Sequence, residues 1–294
     1  MKHPSSAQDE PVVIFTHIPK TAGTSLRHIV QSQFQPYNVF EFYHLKTQPP
    51  KVRKGIEKYQ RLAPVRQKAI SFVSGHVGFG LHQFLHRPCT YITVLRDPIE
   101  RVVSYYYFLH RNQNAIAKDR TLREFIQNFG GVHNSMTCYL SGLTLKAQLQ
   151  DPSVDVKSLQ FDNDTLKQAQ KNIEKHFKVV GFLDRFDETC ILLQRKLGWN
   201  FSSYVRKNVA KRRNLIDEVS AEDLELIRDY NQLDLQLYDY AREKFAEAIA
   251  GEGTSFAPDL SRFQLNNQSS INRFQFQIQT SYKRLAYRIY EQIG

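Results

Sequence analysis

The stretch that decides the fold runs from residue 12 to residue 26 and reads VVIFTHIPKTAGTSL. Its first four residues are all apolar, which is typical of a central strand in a parallel sheet, and apolar residues recur at helical spacing over residues 26–34. Gly23 lets the backbone approach a ligand, Thr24 and Ser25 offer hydroxyl groups, and the free N–H groups at the start of the helix favour negative charge. The stretch therefore predicts a strand, an anion-binding loop and a helix.

The order of residues in this loop separates it from the common nucleoside-triphosphate loop. That loop follows the pattern GxxxxGK[ST], in which the lysine comes after the last glycine. Here Lys20 precedes Gly23, and no other segment of the chain supplies the pattern. Taken alone, the stretch is also compatible with a plain glycine-containing turn between a strand and a helix, and this alternative stays open.

Length and charge limit what the chain can be. A chain of 294 residues forms one large α/β domain or two small ones. We expect one domain over residues 12–249, with a polar segment at 1–11 before it and a polar, basic extension at 250–294 after it. The 40 Lys and Arg residues exceed the 29 Asp and Glu residues and give a net charge of +11. This excess predicts an anionic ligand or surface, although a charge that only aids solubility explains it equally well.

The cysteines and histidines indicate whether the chain binds a metal, and its apolar runs indicate its cellular compartment. The three cysteines have no CxxC spacing, so we predict reduced thiols with neither a disulfide framework nor a zinc site. His82 and His86 have metal-ligand spacing, but no third ligand follows, and we interpret them as surface residues and predict no metal. The first eleven residues lack a hydrophobic region of signal-peptide length, and no run of about 18 apolar residues occurs. On these grounds we expect a cytoplasmic protein.

Two further apolar segments end in polar residues. Residues 69–74 predict a second strand that leads to His76, and residues 90–95 predict a third that leads to Arg96. Because the ligand crevice of an open parallel sheet lies outside the carboxyl ends of its strands, we expect residues 17–25, residues 74–76 and Arg96 to meet there. The predicted fold class is α/β, with a central, mainly parallel sheet flanked by helices in three layers.

Helix-start signals and apolar periodicity predict the remaining elements. Asp97 is suited to cap a helix that has Pro98 in its first turn. Thr121 and Ser220 stand at capping-box spacing from an acidic residue and predict two more helix starts. Further elements predicted from periodicity are helices at 164–177, 187–197 and 221–249, a strand at 179–182, and an irregular or helical excursion at 40–66.

A second motif spans residues 94–108 and reads VLRDPIERVVSYYYF. Arg96 follows the predicted strand and Ser104 lies two turns into the predicted helix, so the two are placed to reach one anion from two sides. Taken singly, Arg96 would more often be the partner of an ion pair at a helix end. Two anion-binding elements in the same chain, each between a strand and a helix, favour the ligand role.

Together the two motifs resemble those of sulfotransferases that use 3′-phosphoadenosine 5′-phosphosulfate (PAPS) as donor. The resemblance is closest to the family that includes the uronyl and heparan sulfate 2-O-sulfotransferases and soluble bacterial relatives, and it covers residues 12–248. It implies a P-loop-like fold in which Arg96 and Ser104 hold the 3′-phosphate of the donor, which leaves as adenosine 3′,5′-bisphosphate (PAP). The residues that the resemblance assigns to the 5′-phosphosulfate are Pro19, Lys20, Thr21, Ala22, Gly23, Thr24 and Ser25.

His76 is the candidate catalytic base. A lone histidine is usually structural, but an imidazole with an ordinary pKa of about 6.5 at the crevice suits a general base at neutral pH. In the 2-O-sulfotransferases a His-Gly-His stands at this point, and His76 matches its second, catalytic histidine. Ser74 replaces the first, a departure that leaves the acceptor class open. The resemblance also implies that Lys20 neutralises the charge that grows on the leaving phosphate.

A basic loop after Trp199 resembles the family segment that closes over the 3′-phosphate and the adenine. Its candidate binding residues are Tyr204, Asn208, Val209, Ala210, Lys211 and Arg212. An exposed charged linker is the alternative, and the composition of the loop does not decide between the two.

The extension after residue 249 begins with a linker-like stretch at 251–258 and continues rich in Gln, Asn and Ser. Residues 274–289 fit an alternating strand and one face of a helix equally well. As a helix with basic residues opposite, the segment would suit an anionic membrane surface or a partner. Packing against the parent domain is the alternative that we favour, because amphipathic helices usually bury their apolar face in their own protein.

The function predicted from these residues is transfer of a sulfuryl group from PAPS to an acceptor hydroxyl, without an obligatory metal. A carbohydrate or glycoconjugate is the favoured acceptor, and basic residues at 51–58 hint at an anionic one; a glycolipid, a small metabolite or a tyrosine stays open. One rival is a nucleotide-dependent kinase or NTPase. The other is a non-catalytic polyanion-binding protein, although no DNA- or RNA-binding signature accompanies the charge and we predict no nucleic-acid partner.

Overall fold

The structure, a computed structural model, describes residues 10–42, 51–150, 161–204 and 215–269. Its centre is a five-stranded sheet in which all neighbouring strands are parallel. The strands are β1 (Val12–Thr16), β2 (Val39–Glu41), β3 (Phe72–Gly75), β4 (Cys89–Leu95) and β5 (Phe177–Phe182). The α-helices within the described residues are α1 (Gly23–Gln33), α2 (Lys51–Gln60), α3 (Pro64–Ala69), α4 (Pro98–Arg111), α5 (Leu122–Asn128), α6 (Ser135–Ser141), α7 (Leu143–Gln150), α8 (Asn163–His176), α9 (Phe186–Leu197), α10 (Ala221–Tyr230), α11 (Gln232–Ala250) and α12 (Phe256–Gln268). The predicted α/β class, with a parallel sheet flanked by helices, is confirmed.

The central strand β1 contributes to two apolar cores because successive side chains of a strand point to opposite faces. Val13 and Phe15 pack in a cluster with apolar residues of α1, α8, α9 and α11. Val12 and Ile14 pack in a second cluster, with apolar residues of α2. All residues of β1 are buried. The unbroken apolar run at the start of the chain therefore belongs to a strand covered on both faces, as its pattern predicts.

The strand order β2-β3-β1-β4-β5 puts a topological switch point between β1 and β4. The chain leaves β1 through α1 toward β2 on one side, and it leaves β4 through α4 to α8 toward β5 on the other. Ligands of open parallel sheets bind at such a point, outside the carboxyl ends of the strands. The loop after β1 and Arg96 after β4 both begin there.

The edge strand β2 is an element that the sequence analysis missed. It has three residues and pairs with β3 from Val39 opposite Phe72 to Glu41 opposite Ser74. A strand this short carries no readable alternation, so its formation depends on the neighbouring ladder. The second predicted strand also started too early, because Ala69 is still the last residue of α3.

The helix predicted over 221–249 is two helices, α10 and α11, which meet at the buried Asn231. The Asn231 side chain accepts the backbone N–H of Asn134 at 3.0 Å and donates to the carbonyl of Ile227 at 2.9 Å. In return, Oδ1 of Asn134 accepts two backbone N–H groups at the start of α11. These hydrogen bonds satisfy backbone groups at the break. Those to Asn134 join segments that are distant in sequence, so periodicity alone could not locate the break.

Helix starts follow the predicted capping residues. Asp97 accepts the backbone N–H of Glu100 at 2.9 Å, and Thr121 forms a complete capping box with Glu124. Ser220 caps α10 through the N–H of the third helical residue at 3.1 Å. Among the helices described, no single one combines the length and the apolar character that crossing a membrane requires.

Part of the chain beyond residue 249 packs with the helices of the sheet. Phe256 and Phe263 of α12 are buried in the same cluster as α9 and α11, and Arg195 of α9 pairs with Asp259 at 2.6 Å. The stretch at 251–258 thus ends inside α12, with Pro258 in the first turn. The domain limits stay a prediction, and the alternatives for residues 274–289 lie outside the described residues.

Candidate active site

The loop between β1 and α1 has the backbone features of an anion site. Lys20 and Ala22 adopt left-handed conformations, with φ values of 72° and 68°. Such residues in a loop turn successive N–H groups toward one side, an arrangement that binds anions. Ala22 is also the N-cap of α1, where it offers no capping side chain, and the first turn contains no acidic residue. The positive end of the α1 dipole is therefore not neutralised by its own helix.

Gly23, the first residue of α1, is where the imidazole of His17 packs against the helix. A methyl group at Gly23 would lie 1.7 Å from Nε2 of His17. The sequence analysis expected the missing side chain to admit a ligand, whereas in the structure it admits this ring. A contact within the protein is thus sufficient to require glycine here.

His76 lies beside His17 because the ladder between β1 and β3 pairs Thr16 with Gly75. The centroids of the two imidazole rings are 4.3 Å apart and the rings are inclined by 32°. Nδ1 of His76 lies 2.8 Å from the carbonyl oxygen of His17. Because a carbonyl oxygen can only accept, Nδ1 carries the proton in this bond, and Nε2 is the nitrogen that can take up another.

Both histidines of this pair favour the neutral form. Burial lowers the pKa of His76, although the hydrogen bond to His17 acts in the opposite direction. By its accessible surface His76 is nevertheless an exposed residue. Burial also lowers the pKa of His17 well below its ordinary value, and the charges of His76, Arg27 and Lys20 add to the effect. At neutral pH His76 is therefore ready to accept a proton.

Lys20 extends toward α4, where its Nζ lies 4.1 Å from the centre of the Phe108 ring. Burial lowers the pKa of Lys20 to about 8, and repulsion from Arg96 and Arg111 adds to the shift. The crevice thus gathers several cations, while the face of Phe108 offsets part of the repulsion. This arrangement favours an anionic ligand, which would restore the full charge on Lys20.

Ser104, Phe108 and Arg111 lie on one face of α4, since residues three and four apart are neighbours on a helix. Because Lys20 contacts Phe108, this face borders the loop after β1. Arg96, just before α4, pairs with Glu100 at 3.1 Å. The ion pair at a helix end, which the sequence analysis gave as the alternative to a ligand role for Arg96, is therefore present. Arg96 also borders the crevice, because it is close enough to Lys20 to lower the pKa of that lysine.

The remaining predicted residues of the loop differ in exposure. Thr21 is fully buried, and its hydroxyl donates to the carbonyl of Ile18 at 2.8 Å, which closes the loop. Ser25 is buried, Pro19 is half-buried and Thr24 is exposed. Thr24 is accordingly the loop hydroxyl most open to a ligand.

Tyr204 is the member of the predicted basic loop that the structure describes. It is buried, its hydroxyl donates to Asp187 at 2.7 Å, and its ring stacks on Phe263. The other members, Asn208, Val209, Ala210, Lys211 and Arg212, lie outside the described residues. Closure of this loop over the donor stays a prediction.

Phe108 and Arg111 had no role in the sequence predictions, and His17 was expected at the crevice only as part of the stretch 17–25, without a function of its own. Phe108 and Arg111 could have been found from Ser104, because they follow it at spacings of four and seven residues along the same helix face. His17 carried no comparable signal, since its neighbours Gly23 and His76 are brought to it by the fold. His82 was also misjudged as a surface residue, because its Nδ1 lies 2.8 Å from the buried hydroxyl of Tyr91.

An all-parallel α/β sheet with a cationic crevice at its switch point is the architecture of enzymes that bind a phosphorylated ligand there. Within the four described ranges, no group of three or more His, Cys, Asp or Glu side chains is arranged to hold a metal ion. A family model described as galactose-3-O-sulfotransferase matches residues 2–257. The chain therefore belongs to this sulfotransferase family, and the resemblance seen in its motifs is confirmed.

Individual relatives agree with this family. Galactose-3-O-sulfotransferase 2 of Mus musculus is 22% identical over 267 residues, which cover 85% of this chain and 66% of the relative. Heparan sulfate 2-O-sulfotransferase 1 of Gallus gallus is 28% identical over 209 residues, covering 65% of this chain and 56% of the relative. The same enzyme of Xenopus laevis is 25% identical over 258 residues, covering 81% and 71%. The matches to the mouse and chicken proteins thus span less than two thirds of the length of those relatives.

Proposed function

We propose that this chain transfers the sulfuryl group of PAPS to a hydroxyl group of a carbohydrate. The observation that carries the proposal is the juxtaposition of His76, whose Nδ1 is bound to the carbonyl oxygen of His17, with a lysine-bearing loop at the carboxyl edge of a parallel sheet. Membership of a sulfotransferase family supports the reaction. Relatives named for galactose and for heparan sulfate support a carbohydrate as acceptor.

PAPS would supply a sulfuryl group joined to a phosphate that can leave. In the proposed step, Nε2 of His76 takes the proton of the acceptor hydroxyl as that oxygen bonds to sulfur and the bond from sulfur to the bridging oxygen breaks. Lys20 and the N–H groups at the start of α1 neutralise the charge that grows on the leaving oxygen. Arg96 and Ser104 bind the 3′-phosphate and so orient the donor. Catalysis then rests on positioning and electrostatic stabilisation.

The acceptor is proposed to approach from the side of α2 and α7. Gln148 of α7 donates to the carbonyl oxygen of His76 at 3.1 Å, and α7 packs against α2. The exposed cations of α2 include Arg53, Lys54 and Lys58. Their position near the strand of the base favours an acceptor that carries negative charge.

Calorimetric titration with PAP, and separately with ATP and Mg²⁺, tests the donor. We expect saturable binding of PAP and much weaker binding of ATP. A kinase or NTPase would reverse this preference, and a polyanion-binding protein would give steeply salt-dependent binding of heparin without a saturable PAP site. Incubation with ³⁵S-labelled PAPS and either galactose-terminated or desulfated heparan glycans tests the acceptor, and transfer to neither would contradict a carbohydrate.

Lys20→Met is expected to lower kcat by about 10²- to 10³-fold, because it removes a charge that stabilises the leaving phosphate. In the free enzyme the charge on Lys20 is lost as pH rises through its pKa of about 8, so kcat/KM should fall above that pH. Lys20→Arg is the matched variant, because a guanidinium stays protonated. Its activity should exceed that of Lys20→Met and show no decline near pH 8. An unchanged alkaline decline in Lys20→Arg would assign that titration to another group.

A further inference from the structure

The imidazole of His17 lies between the start of α1, which belongs to the proposed donor site, and His76, the proposed base. On one side it packs on Gly23 at the start of the donor loop's helix, where only a hydrogen fits. On the other side its ring centroid is 4.3 Å from that of His76, while its carbonyl oxygen accepts the Nδ1 proton of His76. A third contact is a stack on Phe15, with centroids 5.2 Å apart and an angle of 16°. The ring thus joins the donor loop to the base.

We propose that His17 is a positioning residue that holds the imidazole of His76 against the donor loop in the geometry that proton transfer requires. The inference rests on the proposed function and deepens it. The backbone of His17 selects the tautomer of His76, and its side chain limits rotation and sliding of the His76 ring. Gly23 is part of the same arrangement, because any side chain at this position would displace the His17 ring.

The charges around His17 explain why a neutral ring is needed. His76 faces it from the end of β3, Arg27 from α1 and Lys20 from the loop, and burial together with these groups keeps the pKa of His17 well below its ordinary value. Arg27 is itself paired with Glu41 of β2, with Nε 2.9 Å from Oε1. A protonated His17 would repel both Lys20 and the cation that His76 becomes when it takes the proton.

His17→Ala tests the proposal. We expect kcat to fall by about 10- to 100-fold, because small misplacements of a catalytic group have effects of that size. PAP affinity should change by less than about threefold, since His17 is not among the residues proposed to bind the phosphates; a change of about 1.4 kcal/mol would be needed for a tenfold effect. Loss of the ring also admits water beside His76, so the acid limb of kcat/KM should move to higher pH, a change that general destabilisation would not produce.

Gly23→Ala supplies an independent route to the same arrangement. Alone, its added methyl should displace the His17 ring and lower kcat, whereas combined with His17→Ala it should add little further loss. Should His17→Ala prove insoluble, the same measurements on His17→Asn decide. Wild-type protein that neither binds PAP nor transfers sulfate would contradict the proposed function. If the wild type is active and the His17 variant has the same kcat and the same acid limb of kcat/KM, the positioning role of His17 is overturned while the proposed function stands.

Discussion

His76→Asn is expected to lower kcat by about 10²- to 10⁴-fold, the range for loss of a general base. Asparagine can still donate a hydrogen bond to the carbonyl of His17, so the local backbone is retained while the proton acceptor is lost. PAP affinity should stay close to wild type, because in the proposed step His76 acts on the acceptor hydroxyl and does not bind the donor. Single-turnover transfer from labelled PAPS measures the chemical step directly.

The matched control for this variant is His86→Asn. His86 is exposed and has a left-handed backbone, with φ of 51°, a conformation that asparagine tolerates. The His86→Asn variant should therefore have the same kcat as the wild type. Turnover of His76→Asn within about threefold of wild type, with PAP still bound, would mean that His76 is not the base.

The pH profile gives a second test of His76. A base must be unprotonated, so kcat/KM should rise with pH through the pKa of His76 and then stay level until the decline expected for Lys20 near pH 8. Because burial lowers this pKa, the rise should lie below the pH of about 6.5 expected for an unperturbed histidine. A rise centred above that pH would contradict a lowered pKa of His76.

Arg101→Met is expected to destabilise the fold by about 3–5 kcal/mol, because it leaves a buried carboxylate without its counter-charge. Arg101 and Asp234 are 1% and 0% exposed, and Nη2 of Arg101 lies 3.9 Å from Oδ2 of Asp234. Asp234 also accepts the backbone N–H groups of Met136 and Thr137 at 3.0 and 2.7 Å. The pair thus ties α4, which carries Ser104, to α6 and α11. Urea unfolding followed by circular dichroism measures the loss.

Arg228→Met is the control for the buried pair. Arg228 pairs with Glu225 at 2.9 Å, but the two side chains are 44% and 65% exposed. A pair in solvent contributes at most about 1 kcal/mol, so this variant should unfold almost as the wild type does. An equal decrease in the free energy of unfolding in the two variants would mean that burial does not determine how much the Arg101–Asp234 pair stabilises the fold.

The features that the sequence predicted well are local ones. The strand, loop and helix at the start of the chain lie in one stretch, and the cap at Asp97 acts within a single helical turn. For these elements propensity, hydrophobic spacing and capping all act over a few residues, so a pattern is sufficient to recognise them. The position of Arg96 at the end of a strand follows from the same local reading.

The features that it missed depend on long-range contacts. β2 has too few residues to show a pattern and forms on the ladder of β3. The break at Asn231 depends on Asn134, the N-cap of α6. The position of the His17 ring needs the register of β1 against β3 together with the return of α1 over the same strand end. None of these contacts can be recognised from a short window of sequence, because the residues that form them are far apart in the chain.

By itself the sequence determined which groups are available for chemistry: a lysine in an anion loop, an arginine and a serine after a strand, and a histidine after another. It did so because strand ends and helix starts are encoded locally. Only the tertiary structure decided how these groups meet, with Lys20 on Phe108 and His76 bound to His17. The reason is that the parallel ladder, formed between strands far apart in the chain, sets which strand ends are neighbours.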